Sequence, residues 1–414
     1  MEIKEFFTAM IIGDAIGTAS HGLSKGHVQN LFKNQLNNFP DTDIIFKKEP
    51  YNWRKSGLYS SVSQFTVLSA ASIITRTKFS DVVLNLIKVS ELVDETSSAF
   101  FRLTDHTISQ QLFELSVNGK CAGIFSHSSV IIFAGSVTSL VNHHNEKNVV
   151  AFIKDWTHSA ETAIAALVYS HIIKYDIDTS VWENVISSIK NINEWVVKES
   201  AYIFDMGYNP DYLIKEAENY LSLARLLEGA FNTAAGEKII VDFTNVVNKK
   251  NITRATVDMP MVQLFFSLTL SRFIDSENLT VFSAVQNGGT SQIISPMFLT
   301  MAVIQKGLSF IPGFLTDNLV NKKKIFLMID KISMLNISQT DINDFQISES
   351  QLTKKEIEEK LSKTKHCKKK NNEKNTKVKH KTLEEKLSQH VVESWTKLDK
   401  AKWKKQRNKV NAEQ

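Results

Sequence analysis

The chain has 414 residues, of which 43% are hydrophobic and 22% are charged, with two cysteines, 15 glycines and six prolines. This apolar fraction is large enough to bury a sizeable core, which excludes wholesale disorder, and two cysteines cannot build a disulfide framework. So little glycine and proline argues against an all-β architecture, since that class needs frequent turns.

The net charge of +5 hides an asymmetry along the chain. Residues 351–414 carry 20 lysines and arginines against nine acidic residues, whereas residues 1–350 carry 29 against 35. A mildly acidic body is therefore followed by a basic tail, and we interpret the two separately.

The sequence predicts neither a secretory signal nor a membrane span. A signal peptide has a basic start and a longer apolar centre than residues 6–12 provide. The most apolar internal segments, 130–141 and 298–315, fall short of ~20 residues or contain Gln305 and Lys306. These features predict a soluble protein of the cytoplasm.

The body has a helical pattern. From Phe6 to about Ile332, apolar residues recur mostly every three or four positions, and we find no alternating runs joined by Asn-Gly or Asp-Gly turns. Short polar breaks separate the periodic segments. The pattern predicts ten or more helices packed into one all-α domain.

Two early segments contain polar residues within apolar surroundings. Asp14 lies between glycines in Gly-Asp-Ala-Ile-Gly, and it is interpreted either as a capping or turn aspartate or as a carboxylate facing a polar cavity. Further along, Ser60 or Ser61 is expected to cap a helix that continues through Ile74.

Two later segments also suggest helix starts. Thr157 is a candidate cap, with His158 in the first turn as either a structural histidine or a catalytic base. Gly288 and Gly289 form a turn before a helix that carries Met297, and the free N–H groups of that turn are candidates to receive an anion.

The order and spacing of these segments resemble the ADP-ribosylglycohydrolase family. The segments are FTAMIIGDAIGTA, WRKSGLYSSVSQFTVLSAA, DWTHSAETAIAALVYS, VDMPMVQLFFSL and AVQNGGTSQIISPMFLTMAVIQKGLSFIP. The resemblance runs from about residue 5 to residue 330 and leaves out the tail. It implies the family's compact all-α multi-helix domain, in agreement with the periodicity.

The glycines of this pattern match the family, but its carboxylates do not. Where the family reads Thr/Ser-Asp-Asp-Thr, this chain has Ser60, Ser61, Val62 and Ser63. Where the family reads Gly-Gly-Asp-Thr-Asp-Thr, the chain continues from its two glycines with Thr290, Ser291, Gln292 and Ile293. In the family these aspartates bind two magnesium or manganese ions that hold the ribose of ADP-ribose and activate attack on the glycosidic bond.

Loss of the aspartates changes the expected chemistry. Mg²⁺ prefers anionic oxygen ligands, and neutral side chains cannot balance the charge of two divalent ions. We therefore expect no metal cofactor. The resemblance then implies a non-catalytic relative that binds ADP-ribose, another nucleotide or an ADP-ribosylated target, or that serves as a protein-interaction module. The expected ligand-binding residues are Asp14, Ser60, Ser61, Ser63, His158, Gly288, Gly289, Thr290, Ser291 and Gln292.

An active hydrolase with a non-standard site is an alternative. Two carboxylates can cleave a glycosidic bond, and Asp14 with Glu161 or Asp155 is a candidate pair. His158 is a candidate base. The catalytic candidates are thus Asp14 and His158.

The tail is interpreted as a charged linker over 336–381 and a basic amphipathic helix over 382–414, following a domain over 1–335. Capping boxes are predicted at Thr353–Glu356 and Thr382–Glu385. The tail is either a linker whose helix docks on the body, a membrane-surface helix, or an arm for RNA, a ribosome or another polyanion. The residues of this proposed arm are Lys368, Lys369, Lys370, Lys402, Trp403, Lys404, Lys405 and Arg407.

Overall fold

The computed structural model describes residues 1–32, 38–43, 53–89, 101–121, 123–141, 146–231, 259–275 and 279–374. Within these ranges the regular secondary structure consists of helices and includes no β-strand, which confirms the all-α prediction. The α-helices are α1 Ile3–Gly17, α2 Lys25–Phe32, α3 Ser61–Ile74, α4 Phe79–Val89, α5 His106–Asn118, α6 Ser129–Val141, α7 Glu146–Lys154, α8 Ala160–Lys174, α9 Trp182–Lys198, α10 Ser200–Asp205, α11 Pro210–Phe231, α12 Pro260–Arg272, α13 Ser291–Lys306, α14 Gly313–Asp317, α15 Lys322–Ser333 and α16 Gln339–Lys374.

Six helices form the centre of the fold. Nearly all residues of α1, α3, α6, α8, α12 and α13 are buried, and these helices pack against one another. A helix that is apolar on all sides belongs inside a protein, whereas α4, α7 and α9 have one apolar face and lie further out. Among the helices that the structure describes, none is long and apolar enough to cross a bilayer.

Glycines allow the closest helix contact of this centre. A Cβ atom added to Gly13 in α1 would lie 2.5 Å from Cα of Pro296 in α13, and one added to Gly17 would lie 2.3 Å from the carbonyl oxygen of Ser291. Residues four apart share a helix face, so the two glycines present one smooth surface to α13. Any larger residue there would push the helices apart.

The C-terminal part differs from the prediction. The capping box predicted at Thr353 is wrong, because α16 has already begun at Gln339 and the Thr353 hydroxyl donates to the Glu349 carbonyl inside the helix at 3.1 Å. Glu356 instead accepts the backbone N–H of Lys55 at 3.0 Å. The predicted linker is therefore helical from Gln339 to Lys374.

The chain divides into two compact units, residues 1–360 and residues 361–414. In the second unit the structure describes residues 361–374, the end of α16. The second predicted capping box, the helix predicted over 382–414 and the arm residues 402–407 lie outside the described residues.

Candidate functional site

Asp14 joins α1 to the first turn of α3. Its side chain is fully buried, and Oδ2 accepts the N–H of Ser60 at 2.9 Å and the N–H and hydroxyl of Ser63 at 3.1 and 2.6 Å. A carboxylate at a helix N-terminus satisfies free N–H groups and is favoured by the helix dipole. Burial raises the pKa of Asp14, and the bonds from Ser60 and Ser63 partly offset this. Of the two interpretations offered, the structure favours the capping one.

The first turn of α3 is occupied by structural hydrogen bonds. Of the two serines expected to cap the helix, Ser60 is the N-cap, and its hydroxyl accepts the N–H of Val62 at 3.1 Å. Ser61 donates its N–H to the carbonyl of Arg102 at 2.6 Å and its hydroxyl to the carbonyl of Leu103 at 3.0 Å. The Val62 side chain lies in the hydrophobic core.

The glycine turn before α13 is also tied down. Gly288 has φ of +64°, and a Cβ there would lie 2.1 Å from the carbonyl oxygen of Leu23. The N–H groups of Gly288 and Gly289 already donate to the carbonyls of Val285 and Leu23, at 3.0 and 2.8 Å. These two groups are therefore not free to receive an anion. Ser291 donates its hydroxyl to the Gly17 carbonyl at 2.7 Å.

A cavity of about 430 Å³ lies beside the start of α13. Its wall includes the N-terminal ends of α5, α6 and α13 and a side chain from the first turns of α12. The lining residues are His21, Thr104, Asp105, His106, Thr107, Ser126, His127, Ser129, Val130, Gln263, Thr290, Gln292 and Ile293.

Three polar atoms of the cavity lining are buried without a hydrogen-bond partner in the described part of the chain. They are Nδ1 of His21, Oγ1 of Thr290 and Oε1 of Gln292. Buried polar groups are normally paired, so each unpaired one calls for an explanation, such as a bound water or ion. Burial, with a smaller effect from the charge of Arg54, lowers the pKa of His21 to about 4, so its imidazole is neutral at pH 7.

Asp105 contributes a carboxylate to the cavity wall, but both of its oxygens already accept hydrogen bonds from the protein. It is the N-cap of α5 and accepts the N–H of Ile108 at 2.8 Å and the hydroxyl of Ser128 at 2.7 Å. Burial raises the pKa of Asp105, and these two bonds act against that rise. We assign it the role of holding the starts of α5 and α6 together.

Two predicted site residues, Asp14 and His158, are not among the described residues that line the cavity. Thr157 is not the cap of α8. That role belongs to Ser159, which accepts the N–H of Thr162 at 3.2 Å, so His158 precedes the helix instead of lying in its first turn. The His158 ring lies 5.5 Å from that of Phe125.

Glu161, the proposed partner of Asp14, also has a structural contact. It accepts the N–H of Met261 at the start of α12 at 3.1 Å. Burial raises the pKa of Glu161 to about 7, and neighbouring Glu216 adds to the rise. Thus Asp14 and Glu161 each bind the N-terminus of a different helix, which weakens their candidacy as a catalytic pair.

Of the expected ligand-binding residues, Thr290 and Gln292 reach the cavity, and Ser60, Ser61, Ser63 and Ser291 hold the helices around it. Sequence reasoning missed His21, Gln263 and the segments 104–107 and 126–130. Asp105 had a local signal, since aspartate three residues before Ile108 fits an N-cap. His21 had none.

Among the residues that the structure describes, no group of three or more histidine, cysteine or acidic side chains could hold a metal ion. The unpartnered atoms of the cavity belong to a hydroxyl, an amide and an imidazole. Such donors do not fit a pair of hard divalent cations, which need anionic oxygens.

Comparisons with known proteins concern the fold. No family model matches the sequence, and no curated protein matches it. A solved structure described as "ADP-ribosylglycohydrolase-related protein complex" aligns with 81% of this chain and 98% of its own, with a TM-score of 0.47 and 14% sequence identity. At this identity, a TM-score of 0.47 is too low for the alignment to support an inference about this chain.

Proposed function

We propose that this protein is a non-catalytic relative of the ADP-ribosylglycohydrolases that binds ADP-ribose or a related nucleotide in the cavity beside α13. The observation that carries the proposal is that His21, Thr290 and Gln292 line one cavity and each has a buried polar atom without a hydrogen-bond partner among the described residues. Two of these residues stand where the family pattern has metal-binding aspartates, so the position is retained while its chemistry has changed.

Size and polarity support a small-molecule ligand. The volume of about 430 Å³ falls within the ~300–1,000 Å³ of typical ligand sites. Hydroxyl, amide and imidazole groups pair well with the hydroxyls of a ribose. The helices α6 and α13 begin at the cavity wall, and their N-terminal ends favour the negative charge of a phosphate, whereas the start of α5 is already capped by Asp105.

The same contacts argue against hydrolysis. Asp14 is committed to the start of α3 and Glu161 to the start of α12, while His158 is not part of the described cavity lining. A general acid or base must lie within hydrogen-bond reach of the reacting group. These arrangements support binding without bond cleavage.

The proposal is tested by titrating the full chain with ADP-ribose in a calorimeter, with and without Mg²⁺. We expect saturable binding that Mg²⁺ leaves unchanged. No heat and no thermal shift up to millimolar ADP-ribose would remove nucleotide binding and leave the protein-interaction role. Release of ADP-ribose from a modified protein, lost in Asp14→Ala, would instead establish the hydrolase alternative.

A second candidate function rests on charge. Residues 351–414 carry 20 basic against nine acidic side chains, and a basic arm neutralises phosphates of RNA or another polyanion. This function would reside in the tail and is independent of the cavity, so both can hold together.

A further inference from the structure

A buried ion pair connects α16 with the segment that leads into the cavity wall. Arg102 and Glu349 are 4% and 0% exposed, and their side chains meet at 2.5 Å. Glu349 also accepts the Tyr59 hydroxyl at 2.6 Å, the Gln64 amide at 3.0 Å and the Asn321 amide at 2.7 Å. The carboxylate thus has four donors from three separate parts of the body: the start of α3, the segment at Arg102 and the residue before α15.

Arg102 is held as fully as its partner. Its Nε donates to the Tyr59 carbonyl at 2.9 Å and its Nη1 to the Thr353 hydroxyl at 3.0 Å. A buried ion pair is seldom more stabilising than a well-packed apolar pair, because both ions lose their hydration. Unlike an apolar side chain, however, the planar guanidinium has donors at fixed angles, so it fixes the orientation of the groups that it binds.

The backbone of the same segment is fixed from the other side by α3. The N–H of Arg102 donates to the Gln64 side chain at 3.1 Å, and its carbonyl accepts the N–H of Ser61 at 2.6 Å. Leu103 has φ of +52°, a conformation that a leucine rarely adopts without outside contacts, and the Ser61 hydroxyl binds its carbonyl. Thr104 follows immediately and lines the cavity.

We propose that Arg102 and Glu349 are positioning residues that hold residues 104–107 in the cavity wall, so that docking of α16 sets the shape of the cavity. This proposal rests on the proposed function only in assuming that the cavity binds a ligand. Ser61 also holds this segment, because its hydroxyl donates to the backbone carbonyl of Leu103. The family pattern has a metal-binding aspartate at the position of Ser61.

The proposal makes α16 a control element. Any interaction that lifts Glu349 from Arg102 frees residues 102–107 and weakens binding in the cavity, and ligand binding in turn strengthens the docking of α16, because the coupling of two sites is reciprocal.

The test compares hydrogen exchange and ligand affinity in the full chain. The double variant Arg102→Met/Glu349→Leu removes both charges together and leaves no unpaired ion. We expect it to fold, to exchange the amides of residues 102–107 at least ten times faster than the wild type, and to bind ADP-ribose about tenfold more weakly. Lys331→Met, which removes a different ion pair of α16, with Asp341, is the matched control and should leave that exchange unchanged.

Arg102→Lys is the second variant, should the double variant fail to fold. Lysine keeps the charge but cannot keep three contacts at fixed angles, so exchange at 102–107 should still rise several-fold. Unchanged exchange in this variant, or in a folded double variant, overturns the positioning role. Absence of ADP-ribose binding to the wild type would overturn the proposed function alone, because the exchange measurement needs no ligand.

Discussion

Ser63 donates both its backbone N–H and its hydroxyl to the same carboxylate oxygen of Asp14, at 3.1 and 2.6 Å. The hydrogen bonds of Asp14 run to the start of α3, and Asp14 is not among the described residues that line the cavity. The second carboxylate oxygen, Oδ1, is buried without a partner. Because one carboxylate oxygen of Asp14 accepts three hydrogen bonds and the other accepts none from the described residues, the stability of the protein should depend on whether Asp14 is charged, and therefore on pH.

Asp14→Asn should be at least as stable as the wild type at pH 8 and lose this advantage towards pH 4. The asparagine oxygen can still accept the N–H groups of Ser60 and Ser63. Burial raises the pKa of Asp14 in the folded protein above its ordinary value. The stability that Asp14 contributes is therefore fully present below the ordinary pKa, and it is lost as the pH rises through the raised pKa of the folded protein. Urea unfolding of both proteins at pH 4, 6 and 8 measures the difference.

Asp14→Ala serves as the control for the capping role. It removes the acceptor for two N–H groups and one hydroxyl, so we expect a loss of roughly 1–3 kcal/mol in the free energy of unfolding at pH 4, and a smaller loss towards pH 8, where the wild type is itself destabilised by a buried charged carboxylate. A difference between the wild type and Asp14→Asn that stayed constant from pH 4 to pH 8 would contradict the raised pKa.

Thr290→Val should weaken ADP-ribose binding roughly 2- to 10-fold, the equivalent of one hydrogen bond. The exchange keeps the shape of the side chain and removes the hydroxyl that is unpartnered in the cavity. Thr269→Val is the matched control, since Thr269 is also buried but its hydroxyl donates within α12 to the Phe265 carbonyl at 2.7 Å. Equal calorimetric affinities for both variants and the wild type would place the ligand elsewhere.

The sequence was a reliable guide to features that depend on local pattern. The three- or four-residue apolar period indicated an all-α body, and the serine pair Ser60 and Ser61 indicated the start of α3, where Ser60 is the N-cap. The start of α16 also had a local signal that we misplaced: Ser338 and Asp341 form the capping interaction, with the Asp341 carboxylate accepting the Ser338 N–H at 2.9 Å.

Contacts between distant segments had no such signal. Arg102 and Glu349 are 247 positions apart, and neither interrupts a periodic pattern in a way that reveals its partner. His21 reaches the cavity from the turn after α1 because α1 is packed on α13, which is a property of the assembled fold. The residues around the cavity could therefore be predicted where they follow a motif and not where packing alone brings them together.

Aspartates introduced at the positions that the sequence comparison singled out should create metal binding in two stages. Thr290→Asp/Gln292→Asp places two carboxylates on the cavity wall, and we expect weak binding of one Mn²⁺, detected by calorimetry or electron paramagnetic resonance. Two ions should need Ser61→Asp and Val62→Asp as well, since two divalent ions repel unless several anionic ligands surround them.

The double variant Thr290→Asn/Gln292→Asn is the control, because asparagine has the size of aspartate but no charge. This variant should bind no Mn²⁺. The quadruple variant carries an additional cost, because the carboxylate of Ser61→Asp would face the Leu103 carbonyl that Ser61 now binds. Binding of two ions by the unaltered chain would refute our reading of the donor set.

Substitution of Lys402, Lys404, Lys405 and Arg407 by glutamine should lower the salt concentration at which the protein elutes from heparin. Each phosphate contact contributes a slope of roughly −0.9 to the dependence of log affinity on log salt for duplex DNA, so the loss of four contacts should be readily measured. Point substitution is preferable to truncation near residue 350, which would remove Thr353 and Glu356 and disturb the buried contacts of α16.

The matched control replaces four exposed lysines of the body, Lys120, Lys190, Lys198 and Lys215, and lowers the net charge equally. If retention depends on a local arm, the tail variant should elute clearly earlier than the control on a salt gradient. If it depends on overall charge, the two variants should elute together, and the polyanion-binding function of the tail would then be ruled out.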